Sequence, residues 1–218
     1  MLTFVKTAVF LSSLYPLIRL AWLAANDSLG ANPIEFITRS TGTWTLVFLM
    51  LTLAITPLRR ILSFPDLIKF RRMLGLFAFF YASLHFTTYF WLDQFFDLMG
   101  ILLDVMKRPF ITVGFLSFVL MVPLALTSTS GMIRRLGGRR WQWLHRLVYP
   151  VAVGGVIHYL WLVKADLREP LIYAAVLALL LGFRMAVAAA RLRPGPWSAK
   201  KTHPAKGPLK KSGTLTNN

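Results

Sequence analysis

Three histidines lie inside apolar stretches, and their types and spacing limit what the chain can do chemically. His145 and His158 share one stretch, WQWLHRLVYPVAVGGVIHYLWLV (141–163), whose other charged residue is Arg146. His85 stands in a second, MLGLFAFFYASLHFTTYFWL (73–92). An ionisable side chain in hydrocarbon is expensive to keep and marks a functional candidate unless it finds a partner. Neutral imidazole is the commonest metal ligand and a frequent axial ligand of haem iron. The competing readings are a proton relay, or rings that merely bond to neighbouring carbonyls.

Heights along the helices narrow the choice. Thirteen residues place His145 and His158 ~20 Å apart on one helix, near opposite faces of a membrane. His85 follows Arg71 and Arg72 by thirteen to fourteen residues, also ~20 Å, and His158 follows Trp141 by seventeen. If both helices start at the same face, His85 and His158 reach comparable depth on two parallel helices. Two imidazoles at one level are what a six-coordinate haem requires. His145 lies instead at the level of Arg71 and Arg72, where no second histidine matches it. An inner haem would need another ligand there, or one axial histidine only. Gly154 and Gly155, between His145 and His158, would let a flat macrocycle approach the backbone, and Pro150 can change the angle between the two rings.

The elements that must position these rings follow from composition. Of 218 residues, 56% are hydrophobic and 14% aromatic, and the mean hydropathy is +0.58, well outside soluble-domain habits. Six apolar spans can be drawn, at 5–24, 43–58, 73–92, 110–127, 141–163 and 170–190, each near the length that crosses a bilayer. Arg19 interrupts the first, which reads as a retained helix rather than a cleaved signal. The segment 93–109 mixes apolar residues with Asp93, Asp97 and Asp104 and suits a helix lying on the outer surface, either capping the bundle or docking a partner. Residues 25–43 read as an outer loop. Span four, with Gly114 and Pro123, carries no chemistry of its own, and Arg184 in span six reads as a snorkelling side chain.

The net charge of +17 is a topology signal rather than a nucleic-acid face. Arg59, Arg60, Lys69, Arg71 and Arg72 fall between spans two and three, and Arg134, Arg135, Arg139 and Arg140 between four and five. Seven of the eight acids occupy the alternate loops. This positive-inside pattern gives an all-α, six-helix polytopic membrane bundle with both termini cytoplasmic. Residues 1–192 form the membrane domain, and 193–218 read as a disordered basic tail near anionic lipid that includes an irrelevant His203. Zero cysteines exclude iron–sulfur clusters, thiol catalysis and covalent haem attachment. No GxGxxG is present, so electrons would come from another molecule, a lipid quinol or a separate flavin reductase.

Several strings carry a resemblance: ITPLRR (55–60), RRMLGL (71–76), YASLH (81–85), KRPFITVGF (107–115), LALTSTS (124–130), LHRLVYP (144–150) and HYLWLVK (158–164). Together they resemble the haem-binding membrane subunits of bacterial periplasmic methionine-sulfoxide reductase systems. These belong to the ferric-reductase-like transmembrane superfamily that includes the NADPH oxidases, and the likeness covers residues ~1–190. It implies b-type haem, one group or two, ligated by His85, His158 and His145, with flavin mononucleotide (FMN) as a further cofactor. It also implies electrons drawn from quinol in the bacterial inner membrane, and delivery to a periplasmic molybdopterin subunit that carries out the sulfoxide reduction itself. The superfamily's oxidases place two histidines about fourteen residues apart on each of two helices; here Arg71 stands fourteen before His85. Arginine stays protonated and does not ligate iron. Arg71, with Arg72 and Arg146, suits compensation of a haem propionate or a flavin phosphate. The rival functions are a small secondary transporter or proton channel without haem, against which no internal repeat between 1–92 and 110–190 is evident, and a structural anchor.

Overall fold

A computed structural model describes residues 2–192; these are mostly helical, with short connections and no strand among them. The helices are α1 (Leu2–Ala25), α2 (Pro33–Ile61), α3 (Ile68–Thr87), α4 (Leu98–Lys107), α5 (Pro109–Leu126), α6 (Ser130–Leu136), α7 (Gly138–Leu144), α8 (Val148–Leu162) and α9 (Arg168–Leu192). The 193–218 tail, with His203, lies outside the described residues.

Five helical stretches are long and apolar enough to cross a membrane: 2–25, 33–61, 65–93, 109–126 and 168–190. Large apolar side chains such as Phe10, Leu11, Ile18, Trp22, Leu116, Leu179 and Met185 point outward from them, as lipid-facing residues do. The chain is a multi-pass membrane protein. The fifth expected span, 141–163, is not one continuous helix. A 3₁₀ turn at His145–Leu147 separates α7 from α8, which has 15 residues. Pro150 supplies the reason: it offers no N–H to the carbonyl four residues back, so the entry to α8 tightens instead of continuing as α-helix.

The expected loop at 25–43 is also largely helix. Asn32 caps α2 by accepting from the Glu35 N–H at 3.2 Å, its amide reaches the Glu35 carboxylate at 3.1 Å, and Pro33 opens the first turn. Thr38, Thr41 and Thr45 interrupt the apolar run, but each turns its hydroxyl onto a carbonyl four residues back (2.8, 2.8 and 2.9 Å). Polar residues satisfied in this way sit inside a buried helix without cost to its backbone.

Four of the helices close a ring: α2 packs along α3, α3 on α5, α5 along α8, and α8 returns to α2. Leu46, Phe48, Leu53, Phe77, Ala78, Tyr81, Val151 and Ala152 fill its interior. The α9 helix lies against α2 and α8, and α1 against α2 and α3. Pro16 interrupts α1, and there the Tyr81 hydroxyl donates to Ser13 O at 2.8 Å and accepts from Leu17 N at 3.3 Å. It stands between the two groups that an unbroken helix would join. The α4 helix forms in the segment read as a surface helix, capped by Asp97 at Gly100 N (3.0 Å), with Leu98, Met99, Leu102 and Met106 exposed.

A paired-histidine site between two helix hairpins

His85 leaves α3 and His158 leaves α8 toward one another, and their ring centroids are 6.2 Å apart with planes at 79°. The equal heights expected from the sequence are therefore met. Each ring is held in the same way by the helix before it. The His85 Nδ1–H donates to Thr38 O at 2.9 Å, and the His158 Nδ1–H donates to Phe110 O at 2.6 Å. Those carbonyls already sit in helices whose own N–H groups point at them, and an oxygen has a second lone pair to give.

Access to that lone pair depends on the residue four places on. A helical side chain leans back over the preceding turn, so residue i+4 covers the carbonyl of residue i. Four places beyond Thr38 is Gly42, and four beyond Phe110 is Gly114. A Cβ on Gly42 would meet His85 Nδ1 and Cε1 at 3.1 Å; one on Gly114 would meet His158 Nδ1 at 2.6 Å and Cε1 at 2.9 Å. The two glycines are the seats of the two rings, and neither was legible as such: Gly42 fell in an expected loop, and span four carried no assigned chemistry. The signal was there in the numbering. Thr38 and Gly42 recur as Phe110 and Gly114 at an offset of 72, and His85 recurs as His158 at 73. The α2–α3 and α5–α8 pairs thus share one local arrangement of carbonyl, glycine and histidine.

Gly154 and Gly155 do not face the ring pair. A Cβ on Gly154 would collide with Ser117 Oγ, and one on Gly155 would stand 3.0 Å from Leu46. They let α8 pack closely on α5 and α2, which is the bland reading of small residues in a membrane helix.

With both Nδ1 protons tied to carbonyls, each ring's Nε2 keeps a free lone pair, the tautomer a metal requires. The spacing fits an iron between them. A metal–nitrogen distance of about 2 Å on each side, plus ~1 Å from nitrogen to ring centre, gives a centroid separation of about 6 Å. Among the described residues no group of three or more His, Cys, Asp or Glu side chains is gathered. Two axial imidazoles leaving four equatorial positions to a macrocycle is the donor set of a haem.

His145 is placed apart from this pair. Trp141 stacks on its ring at 3.9 Å and donates its indole N–H to Thr127 O at 2.9 Å. Thr127 Oγ1 donates to Pro123 O at 2.6 Å, so the His145 Nε2–H donates to that hydroxyl at 3.1 Å. Arg71 is partly buried and lies within electrostatic reach of His145. Arg72 and Arg146 are exposed; Arg72 borders an open groove of about 650 Å³ between α1 and α3, with Lys6 and Lys69. Arg184 does not snorkel. Its Nη1 donates to Tyr149 OH at 2.9 Å and its Nη2 to Leu53 O at 2.7 Å, inside the bundle.

The described residues form an all-helical, multi-pass bundle with two opposed, carbonyl-anchored imidazoles. Comparison with known proteins gives the family. Residues 41–156 match the ferric reductase like transmembrane component family. Protein-methionine-sulfoxide reductase heme-binding subunit MsrQ of Herminiimonas arsenicoxydans is 60% identical over 186 residues, 84% of this chain and 85% of the relative. The protein of that name from Azospira oryzae is 56% identical over 209 residues, 95% of this chain and 89% of its own. The one from Ralstonia nicotianae is 58% identical, covering 83% and 84%. The chain belongs to the ferric-reductase-like transmembrane family and, within it, to the group these MsrQ proteins form.

Proposed function

We propose that this chain is a membrane b-type cytochrome of the bacterial inner membrane. It passes electrons outward from the quinone pool, or from a cytoplasmic flavin reductase, to a periplasmic molybdopterin methionine-sulfoxide reductase that repairs oxidised proteins. The observation that carries the reading is the His85–His158 pair, 6.2 Å between ring centres, with both Nδ1 protons committed to carbonyls. The names of the MsrQ relatives, heme-binding subunits of a protein-methionine-sulfoxide reductase, point the same way.

In this reading His85 and His158 would hold the haem iron through Nε2, and the haem, when bound, would supply a one-electron carrier within the hydrocarbon. Thr38 O and Phe110 O fix the tautomers, orient the rings and raise the basicity of the ligating nitrogens, as partners of metal-bound histidines do. The ring of α2, α3, α5 and α8 surrounds the pair and leaves both rings half-buried. The basic end of the bundle, with Arg59, Arg60, Arg71, Arg72 and Arg134, faces the cytoplasm, and α4 lies on the periplasmic side with the partner. His145 would hold an inner redox centre in place of its bond to Thr127, while Arg71, Arg72 and Arg146 would balance negative charge on the cofactors, FMN included. The chain carries electrons, and sulfoxide chemistry takes place on the partner.

Reduced-minus-oxidised absorbance of the purified protein tests this. The parental chain should show b-type bands. His85→Ala and His158→Ala should each remove most of the bound haem and stop electron delivery. Normal haem content in either variant refutes the assignment, and a colourless parental protein from haem-replete cells would favour a transporter or proton channel.

A further inference from the structure

The basic end of the bundle holds a buried charge that the chain itself does not balance. Arg184 is on α9, eight residues from Leu192, ~12 Å of helix from that end. Its side chain turns inward to two neutral acceptors, Tyr149 OH and Leu53 O, and lies over the Tyr149 ring at 5.4 Å. Its Nε is buried with no hydrogen-bond partner. Arg71, from α3, lies within electrostatic reach of Arg184 and Tyr149 on one side and of His145 on the other. Two guanidiniums that cannot lose their protons are thus gathered at the inner level, where Coulomb repulsion is poorly screened.

The acids of the sequence lie away from this pair. The eight acids are Asp27, Glu35, Asp66, Asp93, Asp97, Asp104, Asp166 and Glu169. All but Asp66 sit in the segments at the opposite end of the bundle. Asp66 is engaged by Lys69 at 2.5 Å. Residues 193–218 contain no Asp or Glu. A half-buried arginine pair, with the Arg184 Nε buried and unsatisfied and no Asp or Glu bonded to either guanidinium among the described residues, suits an anion from outside the chain.

We propose that Arg71 and Arg184 form an oxyanion site that takes the carboxylate or phosphate of a redox cofactor held within the bundle. The inference rests on the electron-transfer reading above and adds to it a second anchoring point, with Arg184 as a binding residue. The surroundings favour a cofactor over a lipid headgroup. Arg184 reaches away from the lipid face of α9 toward α2 and α8, onto the carbonyl of Leu53, which is fully buried. The planar Trp141–His145 stack stands beside Arg71. Arginine's forked donors match a carboxylate or phosphate in two parallel bonds, which an amide or a lysine cannot reproduce.

The test compares full-length Arg184→Gln, Arg71→Gln and Arg184→Lys proteins with the parent, purified with their cofactors. Haem per chain is measured by absorbance, flavin per chain by fluorescence after release, and bound phospholipid by phosphate analysis. Each Gln variant should bind one cofactor about tenfold or more weakly, with Arg184→Lys in between. The low-spin signal of the His85–His158 pair should persist. Haem loss identifies a propionate carboxylate as the anion, and flavin loss identifies a phosphate. Arg71 makes no hydrogen bond to protein among the described residues, so Arg71→Gln carries the expectation alone if Arg184→Gln fails to fold. Full retention of both cofactors in Arg71→Gln overturns the proposal, as does loss of a phospholipid only. A parental protein without haem would instead sink the underlying electron-transfer reading, which His85→Ala tests separately.

Discussion

Replacing Gly114 by Ala is the smallest change that should disable the paired-histidine site. The new Cβ would lie 2.6 Å from His158 Nδ1, 2.9 Å from Cε1 and 3.1 Å from Cγ. Comfortable carbon contacts begin near 3.5 Å, so the ring must retreat by about 1 Å. That movement opens the bond to Phe110 O from 2.6 Å to beyond the ~3.2 Å limit of ordinary N–H···O geometry. Overpacking of this kind costs about 1–3 kcal/mol, and the lost hydrogen bond about 1 kcal/mol more. The effect on a metal is sharper, because metal–ligand distances tolerate only about 0.2 Å. Haem affinity should fall about 10–100-fold, the usual effect of disturbing a ligand's supporting shell, and six-coordinate bands should give way to a five-coordinate spectrum. Gly42→Ala should do the same more weakly, since its Cβ would stand 3.1 Å from the His85 ring. Gly182→Ala, with nothing within 4 Å, is the control. Titration of haem into each apoprotein, read by Soret absorbance, gives the order. Parental affinity and spectrum in Gly114→Ala would refute the seat argument.

Other outcomes follow from the same geometry. Tyr81→Phe removes the hydroxyl that bridges Ser13 O and Leu17 N and should destabilise the seating of α1 by about 1–3 kcal/mol, read as a lower melting temperature and faster proteolysis of the N-terminal helix. His145→Ala should leave the bands of the His85–His158 pair in place while changing whatever is bound at the basic end, seen as loss of one component in a redox titration. Pro150→Ala restores an N–H and should let the 3₁₀ turn at His145–Leu147 relax toward α-helix, shifting that same component and sparing the other. Thr127→Val deprives His145 Nε2 of its acceptor and should alter the inner component alone, measured by the same titration.

The pairing of His85 with His158 was legible because helix rise converts residue counts into height, and two charged loops fix where the count begins. The seats were not. A backbone carbonyl leaves no mark in a sequence, and Thr38, Arg39, Ser40 and Thr41 broke the apolar run that would have announced the start of α2. The Asn32–Pro33–Glu35 cap did announce it, and hydroxyls that bond within their own helix explain why the polar run is tolerated. Gly154 and Gly155 were misread for a related reason: spacing shows that a helix has a smooth face, while the neighbour on that face comes from tertiary packing. Arg184 inverted its expected role because snorkelling assumes the nearest polar environment is the membrane surface, whereas Tyr149 and Leu53 O offered a nearer one. The break in span five was signalled by Pro150, whose consequence lands on His145 itself.

In the proposed site each α-hairpin would contribute one nitrogen, and neither could complete the coordination sphere by itself. A chain cut in the segment joining them, near α4, would give two halves that are individually incompetent and jointly sufficient, so co-expressed fragments should assemble around the metal that unites them.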